Sequence, residues 1–268
     1  MAKLSSIPPR MAVLPLQLIN RYWTAFLDLL YTRRCESCEK HLEAGREGAA
    51  RWLCSPCLDK LPVLKAPFCS RCGEPYEGAI TDVFQCGNCH DLRLHFEYAV
   101  AAYRADETVR ELIHRFKYNQ QLHLRGLLGC LLERVLQDPR LTNATDRSQW
   151  LLVPIPLHHA RRREREYNQS WELCTRLAKL SGITALDALQ RVRATTPQAS
   201  LSRRQRLLNL KRAFRIKRPV ARRSTLQGKT ILLVDDVLTT GSTASECAKV
   251  LSREGRADKV IVITVARG

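Results

Sequence analysis

Downstream of residue 95 the apolar positions follow two alternating periods. Short, nearly continuous apolar runs of strand length occur at Phe96–Tyr103, Leu151–Leu157, Ile231–Val234 and Lys259–Val265. Between them apolar residues recur every three to four positions, which predicts helices over about 107–119, 122–137, 168–180 and 244–253. Gly182 and Gly255 stand where two of these helices would stop. The polar stretch Asp138–Gln149 reads as a loop. Strands alternating with helices predict an α/β domain on a parallel sheet, and no internal repeat is visible beyond a doubled cysteine pattern.

The first 34 residues carry Leu16, Ile19, Trp23, Phe26 or Leu27, and Leu30 at helical spacing. Arg21 and Asp28 interrupt this face, and its apolar runs are too short to cross a bilayer. An amphipathic helix docked on the rest of the chain is expected, rather than one lying on a membrane surface. With no secretory signal and no span, the protein reads as cytoplasmic; a peripheral place at the inner membrane is the alternative.

Eight of the 11 cysteines fall into four C-x-x-C pairs: Cys35/Cys38, Cys54/Cys57, Cys69/Cys72 and Cys86/Cys89. A C-x-x-C knuckle aims two thiolates at one ion, so two pairs close a tetrahedral four-thiolate zinc site. Fifteen residues separate Cys38 from Cys54 and thirteen separate Cys72 from Cys86, near the usual gap. Gly73 and Gly87 stand where a knuckle turns tightly. Successive pairing closes the shorter loops and gives two structural zinc sites within residues 35–92; a cross-braced alternation stays open. Disulfides are disfavoured without a secretory signal, and iron–sulfur clusters are the other reading. His41 and His90 read as bystanders, and Cys130, Cys174 and Cys247 as small core residues.

Composition adds a partner. The chain has 268 residues, 45% of them hydrophobic, so it can bury a core, and its formal charge of +18 predicts an anionic partner. From Arg191 to Lys229 there are thirteen basic residues and no acid, a surface suited to tracking single-stranded DNA by its phosphates. Phe214 is the only aromatic there, so sequence-specific reading is not expected.

Against this basic background, the stretch ILLVDDVLTTGST (Ile231–Thr243) places two acids beside small hydroxyl residues. A Thr-Thr-Gly-Ser-Thr turn between strand and helix offers backbone N–H groups, hydroxyls and a helix dipole to a phosphate. The paired acids would repel that phosphate, so they should meet vicinal sugar hydroxyls or a magnesium ion bound there. A ribose carrying a 5-phosphate satisfies both halves.

The stretch resembles the phosphoribosyl pyrophosphate (PRPP) signature of type I phosphoribosyltransferases. The run Val153-Pro154-Ile155-Pro156 followed by Arg163-Glu164-Arg165-Glu166-Tyr167-Asn168-Gln169, and the block from Thr196-Pro197-Gln198 to Ala213-Phe214, look like those of ComF-type proteins. The paired knuckles ahead of the α/β region complete that architecture, so the resemblance covers nearly the whole chain from Cys35 onward. It implies a phosphoribosyltransferase-like domain over 95–268 behind a double zinc ribbon, and a role in DNA uptake alongside other proteins of the uptake machinery. It also implies PRPP binding with magnesium and glycosyl transfer to an acceptor the sequence does not identify. Asp235 and Asp236 would hold the ribose hydroxyls, and Thr239, Thr240, Gly241, Ser242 and Thr243 the 5-phosphate. Arg161, Arg163 and Arg165 follow the second apolar run, where a pyrophosphate loop would lie, and Thr196–Asn209 would form a mobile cover. Two positions depart from the pattern: Glu166 and Arg212 stand where it has Gly. At positive φ, Glu166 would cost about 1 kcal/mol and bring negative charge toward an anion.

Overall fold

A computed structural model describes residues 33–78, 84–90, 94–143, 147–158, 165–193 and 209–268. All but the last two positions of the expected N-terminal helix (1–34) lie outside these residues, as do Arg161, Arg163 and most of the expected cover. The strands are β1 Ala99–Arg104, β2 Trp150–Pro154, β3 Thr184–Ala185, β4 Leu189–Arg191, β5 Phe214–Ile216, β6 Thr230–Leu238 and β7 Lys259–Arg267. The four longer helices are α1 Glu107–Tyr118, α2 Arg125–Glu133, α3 Gln169–Ser181 and α4 Ser242–Arg253.

Five strands form one sheet in the order β1-β7-β6-β2-β3, with every neighbour parallel. β4 and β5 make a separate antiparallel hairpin. From β2 the chain crosses through α3 to β3 on one side. β6 pairs with the other side of β2 and leads through α4 to β7. The strand order therefore reverses between β2 and β6, and in open parallel sheets ligands bind beyond the carboxyl ends at such a reversal.

Both faces of the sheet are covered, as a parallel sheet requires. Leu232 and Val234 pack in one core with Leu112, Phe116, Leu128 and Leu173 of α1, α2 and α3. Ile231 and Leu233, their alternates along β6, pack in a second core with Cys247 and Leu251 of α4 and Phe214 of the hairpin. The cysteine-rich segment divides between these layers. Cys35, Leu53 and Leu61 join the first core, whereas Cys69, Cys72, Cys89 and Phe96 join the second. The connection between them runs along the free edge of β1: Leu64 N donates to Ala102 O (3.0 Å), and Arg104 N to Pro62 O (2.8 Å). The edge is thereby protected from pairing with another chain.

Local chemistry sets the helix ends. Asp106 caps α1 by accepting from Val109 N, and Asn168 caps α3 by accepting from Ser170 N. Gly182, with φ 74°, ends α3 in the left-handed conformation that glycine adopts without strain.

Several elements differ from the sequence reading. β6 continues through Asp235 and Asp236 to Leu238, because the equally long β7 keeps pairing with it. β2 stops at Pro154, short of the expected Leu157, since prolines at 154 and 156 remove ladder donors. The expected helix over 122–137 is α2 flanked by 3-10 turns at Leu122–Leu124 and Arg134–Gln137. The expected loop 138–149 begins with a helical turn at Pro139–Thr142, capped by Asp138. Cys174 and Cys247 are buried as expected, but Cys130 is only half-buried, and Arg176 Nη2 points at its sulfur (3.8 Å).

Candidate functional sites

The cysteines assemble in succession. Sγ atoms of Cys35, Cys38, Cys54 and Cys57 lie within 4.8 Å of one another, as do those of Cys69, Cys72, Cys86 and Cys89. Cys38 and Cys54 sulfurs are 3.6 Å apart, and Cys72 and Cys86 sulfurs 3.7 Å. Tetrahedral zinc with Zn–S near 2.3 Å needs about 3.8 Å between ligands, so both sets fit zinc. His41 and His90 belong to neither cluster.

The two centres repeat one backbone design. Glu39 N donates to Cys35 O and Gly73 N to Cys69 O, both at 2.8 Å, and both donors sit at positive φ, 61° and 69°. Cys54 N reaches Cys35 Sγ at 3.4 Å, and Cys86 N reaches Cys69 Sγ at 3.3 Å. Gly87, expected at a tight turn, instead starts the helical turn Gly87–His90. Crowding splits the thiols: hydrogen bonding from Cys89, aided by Arg267, pulls Cys72 down to about 4, whereas burial and then the charge of Cys72 push Cys86 up to about 11. Four sulfurs this close match the ligand set of one tetrahedral cation, and both centres offer closed structural sites of the zinc type.

The second candidate site lies where β2 and β6 end. Asp235 and Asp236 both meet helices of the first core. Asp235 Oδ1 accepts from Ser170 Oγ at the start of α3 (2.9 Å) and from Asp236 N (3.0 Å). Asp236, 5% exposed, meets Lys117 Nζ from α1 at 2.7 Å. Burial, and then the charge of Asp236, push the Asp235 carboxyl up to about 7. Burial works against the Lys117 ammonium, yet Asp236 and Asp235 hold it above the ordinary lysine range.

The turn after β6 leads into α4 through Gly241 at φ 73°. Thr240 Oγ1 and Ser242 Oγ lie 3.1 Å apart, and Ser242 N approaches Thr240 Oγ1 at 3.4 Å. Thr239 is exposed, Thr240 and Thr243 are half-buried, and Ser242 is buried. A Cβ on Gly241 would meet the Phe96 ring at 3.5 Å, so the turn rests on that side chain. The N-termini of α3 and α4 thus converge on the edge holding the paired acids, a partly positive frame around two carboxylates.

Of the three arginines expected near pyrophosphate, Arg165 is the one among the described residues, and its charge acts on Lys117. Its guanidinium stacks over Tyr118 (4.5 Å to the ring centre), Nη2 donates to Tyr118 OH (2.7 Å) and Nη1 to Gln169 Oε1 (3.3 Å). Its Nε is buried without a hydrogen-bond partner among the described residues. Glu166 and Arg212 both adopt positive φ, 66° and 60°, the conformation that favours the Gly of the resembled pattern.

Sequence reasoning missed Lys117, Ser170 and Arg267. Lys117 is a polar position in the last turn of an amphipathic helix, and its carboxylate lies 119 residues downstream, so spacing carries no trace of the pair. Arg267, 2% exposed, binds the second ribbon to the end of β6. It donates to Cys72 O (2.9 Å) and Leu238 O (2.9 Å), approaches Cys72 Sγ (3.6 Å) and pairs with Glu74. An arginine closing the apolar run after Lys259 was the available signal.

Together these features define a class: a parallel α/β domain with a tetracysteine ribbon docked on each face. The profile of the double zinc ribbon domain matches residues 26–90. Competence protein F of Haemophilus influenzae is 31% identical over 223 residues, covering 83% of this chain and 92% of the relative. The DNA utilization protein YhgH of Escherichia coli K12 is 34% identical over 227 residues, with 83% and 92% covered. Competence protein ComFC of Bacillus subtilis is 24% identical over 225 residues, with 80% and 84% covered. The chain belongs to the competence protein F family. Among the described residues no helix is long and apolar enough to cross a membrane.

Proposed function

We propose that this protein acts in the uptake and use of DNA, and that it binds PRPP with magnesium beyond the carboxyl ends of β2 and β6. The relatives' names, competence protein F and DNA utilization protein, support the first part. One observation carries the second: Asp235 and Asp236 stand near the carboxyl end of β6 at the sheet's reversal, and β6 leads into the turn that opens α4. The 5-phosphate would take the Thr239–Thr243 turn, replacing the mutual contact of Thr240 and Ser242 with bonds to its oxygens. The ribose diol would donate to the two carboxylates.

Asp236 must then exchange part of its bond with Lys117 for a sugar hydroxyl. In glycosyl transfer the bond from C1 to the pyrophosphate oxygen breaks, the oxygen keeps the electron pair, and an acceptor nucleophile bonds to C1. Positive charge building on the sugar ring would face Asp235 and Asp236, which stabilise it. Magnesium bound with the pyrophosphate would neutralise part of the leaving group's charge. Arg161, Arg163 and Arg165 stay assigned to that leaving group, and Tyr118 and Gln169 hold the Arg165 guanidinium.

The test is a melting-temperature shift. PRPP with magnesium at a hundredfold excess over its Kd stabilises by about 2.7 kcal/mol. That corresponds to roughly 5–10 °C for a chain of this size. Asp235→Asn with Asp236→Asn should abolish the shift, and no shift at millimolar ligand overturns the reading. Pyrophosphate release, assayed across nucleobases and DNA, then separates turnover from binding.

A further inference from the structure

The acid-free segment around residues 191–229 is a poor stacking surface. Its one aromatic, Phe214, is 1% exposed inside the second core. The groove beside it is lined by Glu246 and Glu254 as well as cations, and Glu246 already accepts from Arg212 N (2.9 Å). A different surface joins positive charge to a half-buried indole.

Where the first ribbon meets α2 and α3, a cavity of about 380 Å³ opens. Arg51 and Trp52 line it from the ribbon, Arg125 from α2, and Arg176 and Lys179 from successive turns of α3. Its lining contains one carboxylate, Glu172, which pairs with Arg125 at 2.9 Å. Three cations remain with no acid of the lining to offset them. Arg176 Nε is buried without a hydrogen-bond partner among the described residues.

Trp52 is half-buried and positioned by its surroundings. A Cβ on Gly126 would come within 2.4 Å of the indole, so glycine there lets the ring lie on the helix. His123 stacks 6.2 Å from the indole, and the Arg51 guanidinium sits 5.9 Å from the ring centre. A fixed indole ringed by cations is the combination that binds single strands: bases stack on the ring while phosphates meet the charges.

We propose that this cavity is a contact site for single-stranded DNA, with a base on Trp52 and the flanking phosphates on Arg51, Arg176 and Lys179. The proposal rests on the reading of DNA as the protein's partner and is independent of PRPP binding. It places the DNA contact partly on the zinc ribbon, so the ribbon supplies a ligand-binding ring as well as support.

The full-length, zinc-loaded protein is titrated with fluorescein-labelled dT20 over a range of salt concentrations, read by anisotropy. Trp52→Ala should weaken binding on the order of tenfold, and Trp52→Phe should restore most of it. Because Trp52 also packs on Gly126, Arg176→Gln with Lys179→Gln provides a test that leaves the ribbon intact. Losing two phosphate contacts should lower the slope of log affinity against log salt by roughly 1.4. Lys211→Gln with Arg215→Gln, on the other basic surface, should bind as the wild type does. Unchanged binding by both the Trp52 and the α3 variants, with loss confined to the Lys211/Arg215 variant, overturns the site while DNA remains the partner. A wild type that does not bind dT20 overturns both. Displacement by dTMP at the affinity of dT20 would make the cavity a mononucleotide site and likewise overturn the proposal.

Discussion

Lys117 Nζ stands 2.7 Å from Asp236 Oδ1, joining the last turn of α1 to the carboxyl end of β6. The side chains are 21% and 7% exposed, so neither charge has full access to water. Removing one partner leaves the other desolvated and unpaired. Lys117→Ala is expected to destabilise the protein by about 3 kcal/mol, seen as a drop of roughly 6–12 °C in melting temperature. Lys117→Met with Asp236→Leu should recover much of that loss. An alanine variant that melts with the wild type would show that the pair contributes nothing.

Asp235 should make stability pH-dependent in a defined direction. Its carboxyl is raised from 3.8 to about 7, first by burial and then by Asp236. The folded state therefore binds its proton more tightly than the unfolded chain does. That contribution is fully present below about pH 4, declines as pH rises, and is gone once pH passes about 7. Asp235→Asn stays neutral throughout and keeps an acceptor for Ser170. The variant should gain on the wild type between pH 4.5 and 7.5, by several degrees in melting temperature, while losing the PRPP shift. A constant difference across that range would contradict the buried, protonatable carboxyl.

The order of the four longer strands and the long helices was legible in the sequence, because each of those strands is a nearly continuous apolar run and each long helix keeps a regular apolar stripe; the short β3, β4 and β5 carry no such run. The cysteine pairs were equally plain, since spacing alone fixes the knuckles. What stayed hidden was long-range. The extension of β6 past Val234 depends on β7 matching its length, and nothing in ILLVDDVL announces this. The division of the two ribbons between opposite faces depends on the stretch along β1, from Pro62 to Leu64, which reads as plain linker. The partners Lys117–Asp236, Ser170–Asp235 and Arg267–Leu238 join segments remote in the chain, where neither periodicity nor motif reaches.

The two ribbons should differ in their effect on the candidate site. The second is tied to it through Arg267, which bridges Cys72 and Leu238, and through Phe96 under Gly241. His95 N also donates to Ser245 Oγ of α4 (3.0 Å). Elemental analysis should find two zinc ions per wild-type chain and one in either Cys38→Ser with Cys57→Ser or Cys86→Ser with Cys89→Ser. The second double variant should lose the PRPP shift, while the first keeps most of it. Equal loss in both would mean that the ribbons act only through global stability.

Arg267 separates that coupling from the metal itself. Arg267→Met preserves the cysteines, so two zinc ions should remain. The variant withdraws donors from the carbonyls of Cys72 and Leu238 and a partner from Glu74. Buried groups left without a donor cost about 1–3 kcal/mol each, so a clear drop in melting temperature is expected. With zinc retained, a smaller PRPP shift at matched stability would assign the effect to the strut between Cys72 and Leu238. A full shift would remove Arg267 from the site.

Glu166 offers the converse case, a side chain whose removal should help the fold. Its φ of 66° is left-handed, and its carboxylate is exposed beside the chain that leads into α3. A non-glycine residue there is strained by roughly 1 kcal/mol, partly offset because glycine loses more entropy on folding. Glu166→Gly should therefore leave the melting temperature unchanged or raise it by up to about 3 °C. Glu166→Ala keeps the strain while deleting the charge, so the two variants separate conformation from electrostatics. If the loop receives pyrophosphate, both should tighten PRPP binding, because each removes a negative charge from the anion's side of the site. A gain in the glycine variant alone would assign the effect to backbone strain, and weaker binding in both would place Glu166 among the groups that hold the ligand or its magnesium.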